Sequence, residues 1–350
     1  MTLVPQILRV GVGVAVLVMA VGHARAQDRD RVVVREVWRT TGEGHPDGPI
    51  GAISGAVAMG DGVIWFSDPI QRRVVRVDQG GSVRIIARTG DGPGEVRAPT
   101  LLDRRSGLVF VYDLGRGSIE VFDEVSGAFE TRVSLRTTVT WPKGFAALHS
   151  GGFVVSGGVV GSRFAIHQFA QDGTWVTSWD RVPATADWRN ALVVAGGPIV
   201  VASPDQLLYS RAAPHEIIEF RVGRGRMIDL GRRIAADASL LQAVGDDAVI
   251  TSVESGRRVQ SFRPYARSSG VFLLSDGTIL NVVTSAEEDS STFELYDRSN
   301  CARVALTHTA HAVYPWSVNA DDEVVVSYLD SAMDVWVLAI LRFADAGRSQ

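Results

Sequence analysis

The chain has 350 residues, a formal net charge of −4 and a sequence pI near 6.0. This length fits one large all-β domain or two ordinary domains, and the acidic balance gives no reason to expect nucleic-acid binding. A single cysteine excludes an intrachain disulfide, and Lys143 is the only lysine among 35 basic residues, a ratio typical of genomic codon bias rather than of recognition chemistry.

The first 26 residues have the pattern of a secretory signal peptide. Arg9 precedes an apolar run over residues 10–21, and Ala24-Arg25-Ala26 is a small-residue cleavage pattern. The run is about 12 residues long, against about 20 for a membrane span, which disfavours an anchor. The sequence therefore predicts a signal peptide over residues 1–26, a single domain over residues 27–346 and a periplasmic or secreted location. It predicts no membrane span in the mature chain.

Beyond residue 30 the chain repeats a unit of short strands and glycine turns. Gly62 precedes the apolar run VIWFSD and Gly107 precedes LVFVYD, and each run is followed by a polar turn and an alternating strand that ends in Asp. Counted from Gly62, the intervals between these turns are 45, 45, 45, 80 and 45 residues, with the later turns placed at Gly152, Gly197, Gly277 and Asp322. A unit of about 45 residues with four strands is typical of a β-propeller blade.

The spacing predicts an all-β propeller with about six four-stranded blades around a central channel. The interval of 80 residues holds either one extended blade or two blades, and a hairpin over residues 248–262 fits either; six blades are favoured over seven. Residues 31–38 form a strand with no blade of its own. We expect it to pair as the outer strand of the last blade, which closes the ring and covers an exposed edge.

The linkers between blades carry a more specific signal. Residues 42–49 and 90–99 are rich in glycine, proline and acidic residues, and they join blades whose strands end in Asp. This pattern resembles bacterial exported six-bladed β-propellers of the NHL-like group, many of unknown function. The resemblance is strongest over residues 42–135, recurs at 275–300, and leaves the boundaries of the middle blades open, since Gly157-Gly158 and Gln168 replace the expected Asp.

Two sets of residues that invite a chemical reading have simpler structural explanations. The loop from Gly90 to Glu95 lacks the Lys-Ser/Thr ending of a phosphate-binding loop, so we expect a turn that Glu95 holds by accepting hydrogen bonds from glycine N–H groups. The strand-end carboxylates are predicted to accept hydrogen bonds from turn N–H groups in the same way; they are Asp68, Asp78, Asp113, Asp123 and Asp297.

The histidines and the cysteine give no metal or nucleophile pattern. His308 and His311 are three residues apart, which places them on opposite faces of a strand. Cys301 follows Asn300 without a local base and is expected to be an idle thiol. The sequence therefore predicts no metal site and no cofactor. Some lactonase-like propellers hold a metal at the channel mouth through Glu, Asn and Asp ligands, but no residue pattern here carries those ligands over.

One group of residues recurs at a single phase of the repeat, just before or at the innermost strand of several blades. In a propeller these segments meet at the channel mouth, where Trp and Tyr offer flat faces and Arg and Lys bind anions or hydroxyls. The predicted ligand-binding residues are Arg97, Trp141, Lys143, Arg189, Arg263, Tyr265, Tyr314 and Trp316. The alternative is that the aromatic side chains only wedge between blades, with arginine covering them.

No acid–base pair accompanies these residues, so the catalytic residues are unknown and binding is favoured over turnover. The sequence predicts an exported, monomeric propeller that acts as a binding or protein-interaction scaffold. Its partner is an unidentified small molecule, glycan or protein. The alternative is a periplasmic hydrolase or lyase of the lactonase type, with its site at the channel mouth.

Overall fold

The computed structural model describes residues 32–42, 48–60, 62–182, 196–211, 215–223, 226–235, 249–254, 257–262, 267–285, 289–309 and 311–345. The described chain folds into 26 β-strands, and the signal peptide predicted over residues 1–26 lies outside it. Among these residues no helix has the length and apolar character needed to cross a membrane.

Six four-stranded antiparallel sheets form the blades of a β-propeller, as predicted. A first strand, β1 (Val32–Thr40), precedes them. Blade 1 contains β2 (Gly55–Ala58), β3 (Val63–Asp68), β4 (Arg73–Asp78) and β5 (Val83–Ala87). Blade 2 contains β6 (Pro99–Arg105), β7 (Leu108–Asp113), β8 (Ser118–Asp123) and β9 (Phe129–Ser134). Blade 3 contains β10 (Thr140–Ala147), β11 (Phe153–Gly158), β12 (Phe164–Phe169) and β13 (Trp175–Arg181).

The second half of the chain follows the same order. Blade 4 contains β14 (Ile199–Ser203), β15 (Gln206–Arg211), β16 (Glu216–Gly223) and β17 (Arg226–Ala235), and a separate hairpin follows, β18 (Val249–Glu254) with β19 (Arg257–Phe262). Blade 5 contains β20 (Arg267–Leu273), β21 (Thr278–Ser285), β22 (Ser290–Asp297) and β23 (Arg303–Thr309). Blade 6 contains β24 (Tyr314–Val318), β25 (Val324–Asp330) and β26 (Val335–Asp345).

The N-terminal strand closes the ring, which confirms the prediction for residues 31–38. β1 pairs antiparallel with β26 and becomes the outer strand of blade 6, from Val32 opposite Asp345 to Thr40 opposite Leu338. The pairing continues two residues beyond the predicted range, past a register shift between Glu36 and Trp38.

Hydrophobic side chains from successive blades pack face to face and form six clusters in the described residues, one for each pair of neighbouring blades. The second strand of each blade lies between two neighbours, so a run such as β7 is buried on both faces. The outer strand β9 is largely exposed or half-buried. The ring is therefore held by contacts between blades, with the inner strands fixed most firmly around the axis.

The strand-end aspartates hold the turns, as predicted. Asp68 accepts hydrogen bonds from the backbone N–H groups of Gly51 at 3.0 Å and Gln71 at 3.0 Å. Asp113 does the same for Arg97 and Ala98, both at 2.8 Å. Gly51, Arg97 and Ala98 belong to the segments that enter the innermost strands β2 and β6, so each buried carboxylate fixes the path of the chain at the start of its blade, and Asp68 also holds the β3–β4 turn through Gln71.

The loop from Gly90 to Glu95 is a structural turn, as expected. The Glu95 carboxylate accepts a hydrogen bond from the Gly92 N–H at 2.5 Å, and Arg116 donates to the Glu95 carbonyl at 2.6 Å. The position that a phosphate would take is thus filled by the chain's own carboxylate. The same turn includes the ion pair between Asp91 and Arg97, at 2.6 Å.

The assignment of Gly197 to the repeated glycine turn is wrong. That turn precedes the second strand of a blade, as Gly152 does before β11, whereas Gly197 precedes β14, the first strand of blade 4. Close packing, and not a turn before a second strand, explains the glycine at this position: a Cβ on Gly197 would collide with the carbonyl oxygen of Ser210. The interval of 80 residues is explained by blade 4 followed by the β18–β19 hairpin, which gives six blades.

Candidate functional site

A cavity of about 300 Å³ lies where the innermost strands of all six blades begin. Each of these strands, or the segment just before it, contributes to the lining; one residue from each blade in order is Ser54, Leu101, Lys143, Pro198, Arg267 and Trp316. Because innermost strands surround the propeller axis, this cavity is the mouth of the central channel. Its volume is suited to a small molecule or to one group of a larger one.

Two cationic side chains share the lining, Lys143 from blade 3 and Arg267 from blade 5. Burial lowers the pKa of Lys143 to about 7, and the positive charge of Arg267 acts in the same direction. Among the described residues that line the cavity, none carries a carboxylate. The described lining therefore carries net positive charge, and a bound anion would offset the repulsion between Arg267 and the protonated form of Lys143.

Three aromatic side chains of blade 6 form one wall of the cavity. The rings of Tyr314 and Trp336 have centroids 6.1 Å apart with planes inclined at 47°. The Nε1 of Trp316 donates to the hydroxyl of Ser327 at 2.9 Å, and its ring packs against the apolar cluster between blades 6 and 1. Trp316 thus combines the two roles considered from the sequence, since it lines the cavity and also wedges two blades together.

A buried polar chain fixes the floor of the cavity at blade 5. The Ser268 hydroxyl donates to Asn281 Oδ1 at 2.7 Å, and Asn281 Nδ2 donates to Glu294 Oε2 at 2.7 Å. All three side chains are buried, and only Ser268 reaches the cavity. Because its proton is directed at Asn281, the Ser268 hydroxyl can act toward any further partner only as an acceptor.

The eight predicted binding residues divide into three groups. Lys143, Tyr314 and Trp316 line the cavity together, from blades 3 and 6. Arg97 and Trp141 lie outside the lining: Arg97 is bound to Asp91, and the Trp141 side chain is 49% exposed. The other three, Arg189, Arg263 and Tyr265, lie outside the described residues. Ligand binding by this set stays a prediction.

Sequence reasoning missed Arg267, Ser268 and Trp336. Arg267 is the first residue of β20 and occupies the same phase of the repeat as Tyr314 at the start of β24. A search of the sequence for basic residues at the start of each innermost strand would therefore have found Arg267. Trp336 lies at the start of β26, the third strand of its blade, and no recurring pattern in the sequence marks that position.

The donor set of the cavity does not fit a lactonase-type metal. Such an ion prefers carboxylate and amide oxygens, whereas the described lining offers an amine, a guanidinium and hydroxyls. Elsewhere in the described chain no group of three or more His, Cys, Asp or Glu side chains is arranged to hold a metal. His308 instead bonds to Thr292 at 2.9 Å, and His311 packs on Tyr328 with ring centroids 4.5 Å apart.

No family model matches the sequence, and no curated protein matches it. Solved structures do match the fold. A "putative exported protein" of Bacteroides fragilis is 10% identical, with 89% of this chain and 95% of that chain covered and a TM-score of 0.57. A member of the DUF4221 family from Bacteroides vulgatus is 7% identical, with coverages of 91% and 100% and a TM-score of 0.56.

A streptogramin B lyase is similar as well. It is 13% identical, with coverages of 91% and 99% and a TM-score of 0.52. At these identities the likeness concerns the fold alone, and it extends over nearly the whole of each protein. The chain is a six-bladed β-propeller.

Proposed function

We propose that this protein is an exported binding propeller whose channel-mouth cavity takes an anionic small molecule with a planar group. The observation that carries the proposal is the lining itself, to which all six blades contribute: a guanidinium, an amine with a pKa of about 7, an aromatic wall and hydroxyls, with no carboxylate among the described lining residues. Arg267 would pair with the anion, and the planar part would pack against the rings of Tyr314 and Trp336. The protein would bind as a monomer, since one chain supplies the entire ring.

The hydrolase or lyase alternative has weaker support. The streptogramin B lyase shares the propeller fold, but a fold carries many unrelated activities. A metal-dependent reaction of the lactonase type would need oxygen ligands that the described lining does not provide. Binding of an anion requires only groups that are present.

The proposal is tested with 2-naphthoate as the anionic probe and 2-naphthol as a planar probe that is neutral near pH 7. Calorimetric titration is expected to show that the carboxylate binds more tightly, because Arg267 can form a charge-assisted hydrogen bond with it. Arg267→Gln should weaken 2-naphthoate binding by about tenfold or more, the loss of roughly 1.5–3 kcal/mol, and leave 2-naphthol unaffected.

The matched control is Arg35→Gln, an exposed position on the outermost strand of blade 6. It removes the same charge from the protein without changing the cavity. It therefore distinguishes direct pairing of Arg267 with the ligand from the effect of the protein's net charge. Equal affinities of the Arg267→Gln and Arg35→Gln variants for 2-naphthoate would contradict the proposed site, as would tighter binding of 2-naphthol to the unaltered protein.

We propose further that residues 1–26 are cleaved on export. The support is the sequence pattern: an apolar run of about 12 residues and the Ala24-Arg25-Ala26 cleavage signature. Terminal sequencing of the exported protein is expected to begin at Gln27. A chain that retains Met1 and sediments with the membrane fraction would overturn this proposal.

A further inference from the structure

The only lysine of the chain lies in the channel-mouth cavity. Arginine occupies 34 of the 35 basic positions, so nearly everywhere that a positive charge serves, the chain uses a guanidinium. Among the described residues only two basic side chains line the cavity, and the single lysine, Lys143, is one of them beside Arg267. In a composition so biased against lysine, an amine at this position indicates chemistry that a guanidinium cannot perform.

An amine differs from a guanidinium in that it can lose its proton near neutral pH and act as a nucleophile. The surroundings of Lys143 favour the neutral form in two ways. The residue lies between Pro142 and Gly144 at the start of β10, half-buried in the cavity, and the positive charge of Arg267 opposes a second cation there. Tyr314 is the other titratable side chain among the described residues of the lining.

We propose that Lys143 captures carbonyl compounds as an imine, and that Arg267 selects those which also carry a carboxylate. The ligand class is an aldehyde or ketone with an acid group and a planar apolar part. This inference rests on the proposed function, because it names the substrate class of the same cavity and adds a covalent bond to it.

The capture step is balanced without any further reagent. The neutral Nζ of Lys143 attacks the carbonyl carbon, a C–N bond forms, and the proton of the nitrogen passes to the oxygen to give a carbinolamine. Loss of water then breaks the C–O bond and leaves the imine. Nothing is oxidised or reduced, and added water reverses the reaction, so the site can hold and release its ligand.

Only one lysine is present, so covalent labelling reports on one side chain and the chain's N-terminal amine. The exported protein is incubated with 4-formylbenzoate or with 4-methylbenzaldehyde near pH 7, and sodium cyanoborohydride is added to reduce any imine to a stable amine. Peptide mapping by mass spectrometry then locates the adduct. We expect 4-formylbenzoate on Lys143 at a yield about tenfold above that on the N-terminal amine.

Two variants and a pH profile test the role of each residue. Lys143→Arg should abolish the adduct while the thermal unfolding curve shows that the propeller is intact; Lys143→Met serves if the arginine does not fold. Arg267→Gln should lower the yield with 4-formylbenzoate about tenfold relative to 4-methylbenzaldehyde, while Arg35→Gln leaves that ratio unchanged. The labelling rate should rise with a midpoint near pH 7, and this midpoint should move upward in Arg267→Gln.

The proposal is overturned if Lys143 labels no better than the N-terminal amine, or if its rate has the midpoint of an exposed lysine, above about 10. It is also overturned if the anionic and neutral aldehydes respond equally to Arg267→Gln. Failure here is distinguishable from failure of the proposed function: 2-naphthoate binding that depends on Arg267, without a lysine adduct, leaves the binding site standing and removes only the covalent step.

Discussion

Deletion of β1 is expected to open the ring and to produce an aggregating protein with a markedly lower melting temperature. The strand pairs with β26 from Leu338 to Asp345, and it contributes Val34 to the cluster between blades 5 and 6 and Trp38 to the cluster between blades 6 and 1. Glu36 also accepts a hydrogen bond from the Tyr328 hydroxyl at 2.7 Å. Burial of Val34 and Trp38 alone contributes roughly 3 kcal/mol.

The unpaired edge adds a second penalty, because β26 would present a row of free backbone N–H and C=O groups as a template for association. Size-exclusion chromatography and thermal unfolding measure the two effects separately. Val33→Thr is the matched control. Val33 is exposed, and threonine is also β-branched, so the backbone pairing persists. Trp38→Ala should give an intermediate loss of stability. A monomeric deletion variant with an unchanged melting temperature would show that closure does not depend on β1.

The ring closure illustrates what the sequence can predict. Residues 31–38 alternate without a hairpin partner nearby, and a propeller of known period leaves one place for such a strand. Likewise Gly62 and Gly107 mark blades because the same hairpin recurs, and strand-end carboxylates such as Asp113 recur with it. These features depend on local chemistry repeated at a constant interval, which is visible without coordinates.

The candidate site was only partly predictable, for a physical reason. The cavity depends on which side chains meet across the axis, and residues of one repeat phase differ in orientation. Arg97 has the predicted phase, yet its guanidinium forms an ion pair with Asp91 and does not line the cavity. Trp336 reaches the cavity from the third strand of its blade, outside that phase. Gly197 matches the 45-residue interval by coincidence and serves close packing instead.

Close packing around the channel is the basis of the second large effect. Neighbouring blades approach so closely at Gly144 that an added Cβ would lie 2.5 Å from the carbonyl oxygen of Gly197 and 2.7 Å from the backbone nitrogen of Ile199. Both contacts are with the backbone of blade 4, which cannot turn aside as a flexible side chain can. Gly144→Ala is therefore expected to force blades 3 and 4 apart and to lower the free energy of unfolding by about 1–3 kcal/mol.

Gly60→Ala isolates the cause of that loss. An added Cβ at Gly60 would meet nothing within 4 Å, so this variant carries the same change in chemical composition and in chain entropy without the collision. Denaturant unfolding should therefore separate the two variants, with Gly60→Ala at or above the stability of the unaltered protein.

Gly144→Ala should also weaken 2-naphthoate binding, because the residues displaced, Lys143 on one side and Gly197 on the other, both line the cavity. Equal stability of the two alanine variants would mean that blades 3 and 4 can separate at little cost, and the rigid channel mouth on which the binding site depends would then have no basis.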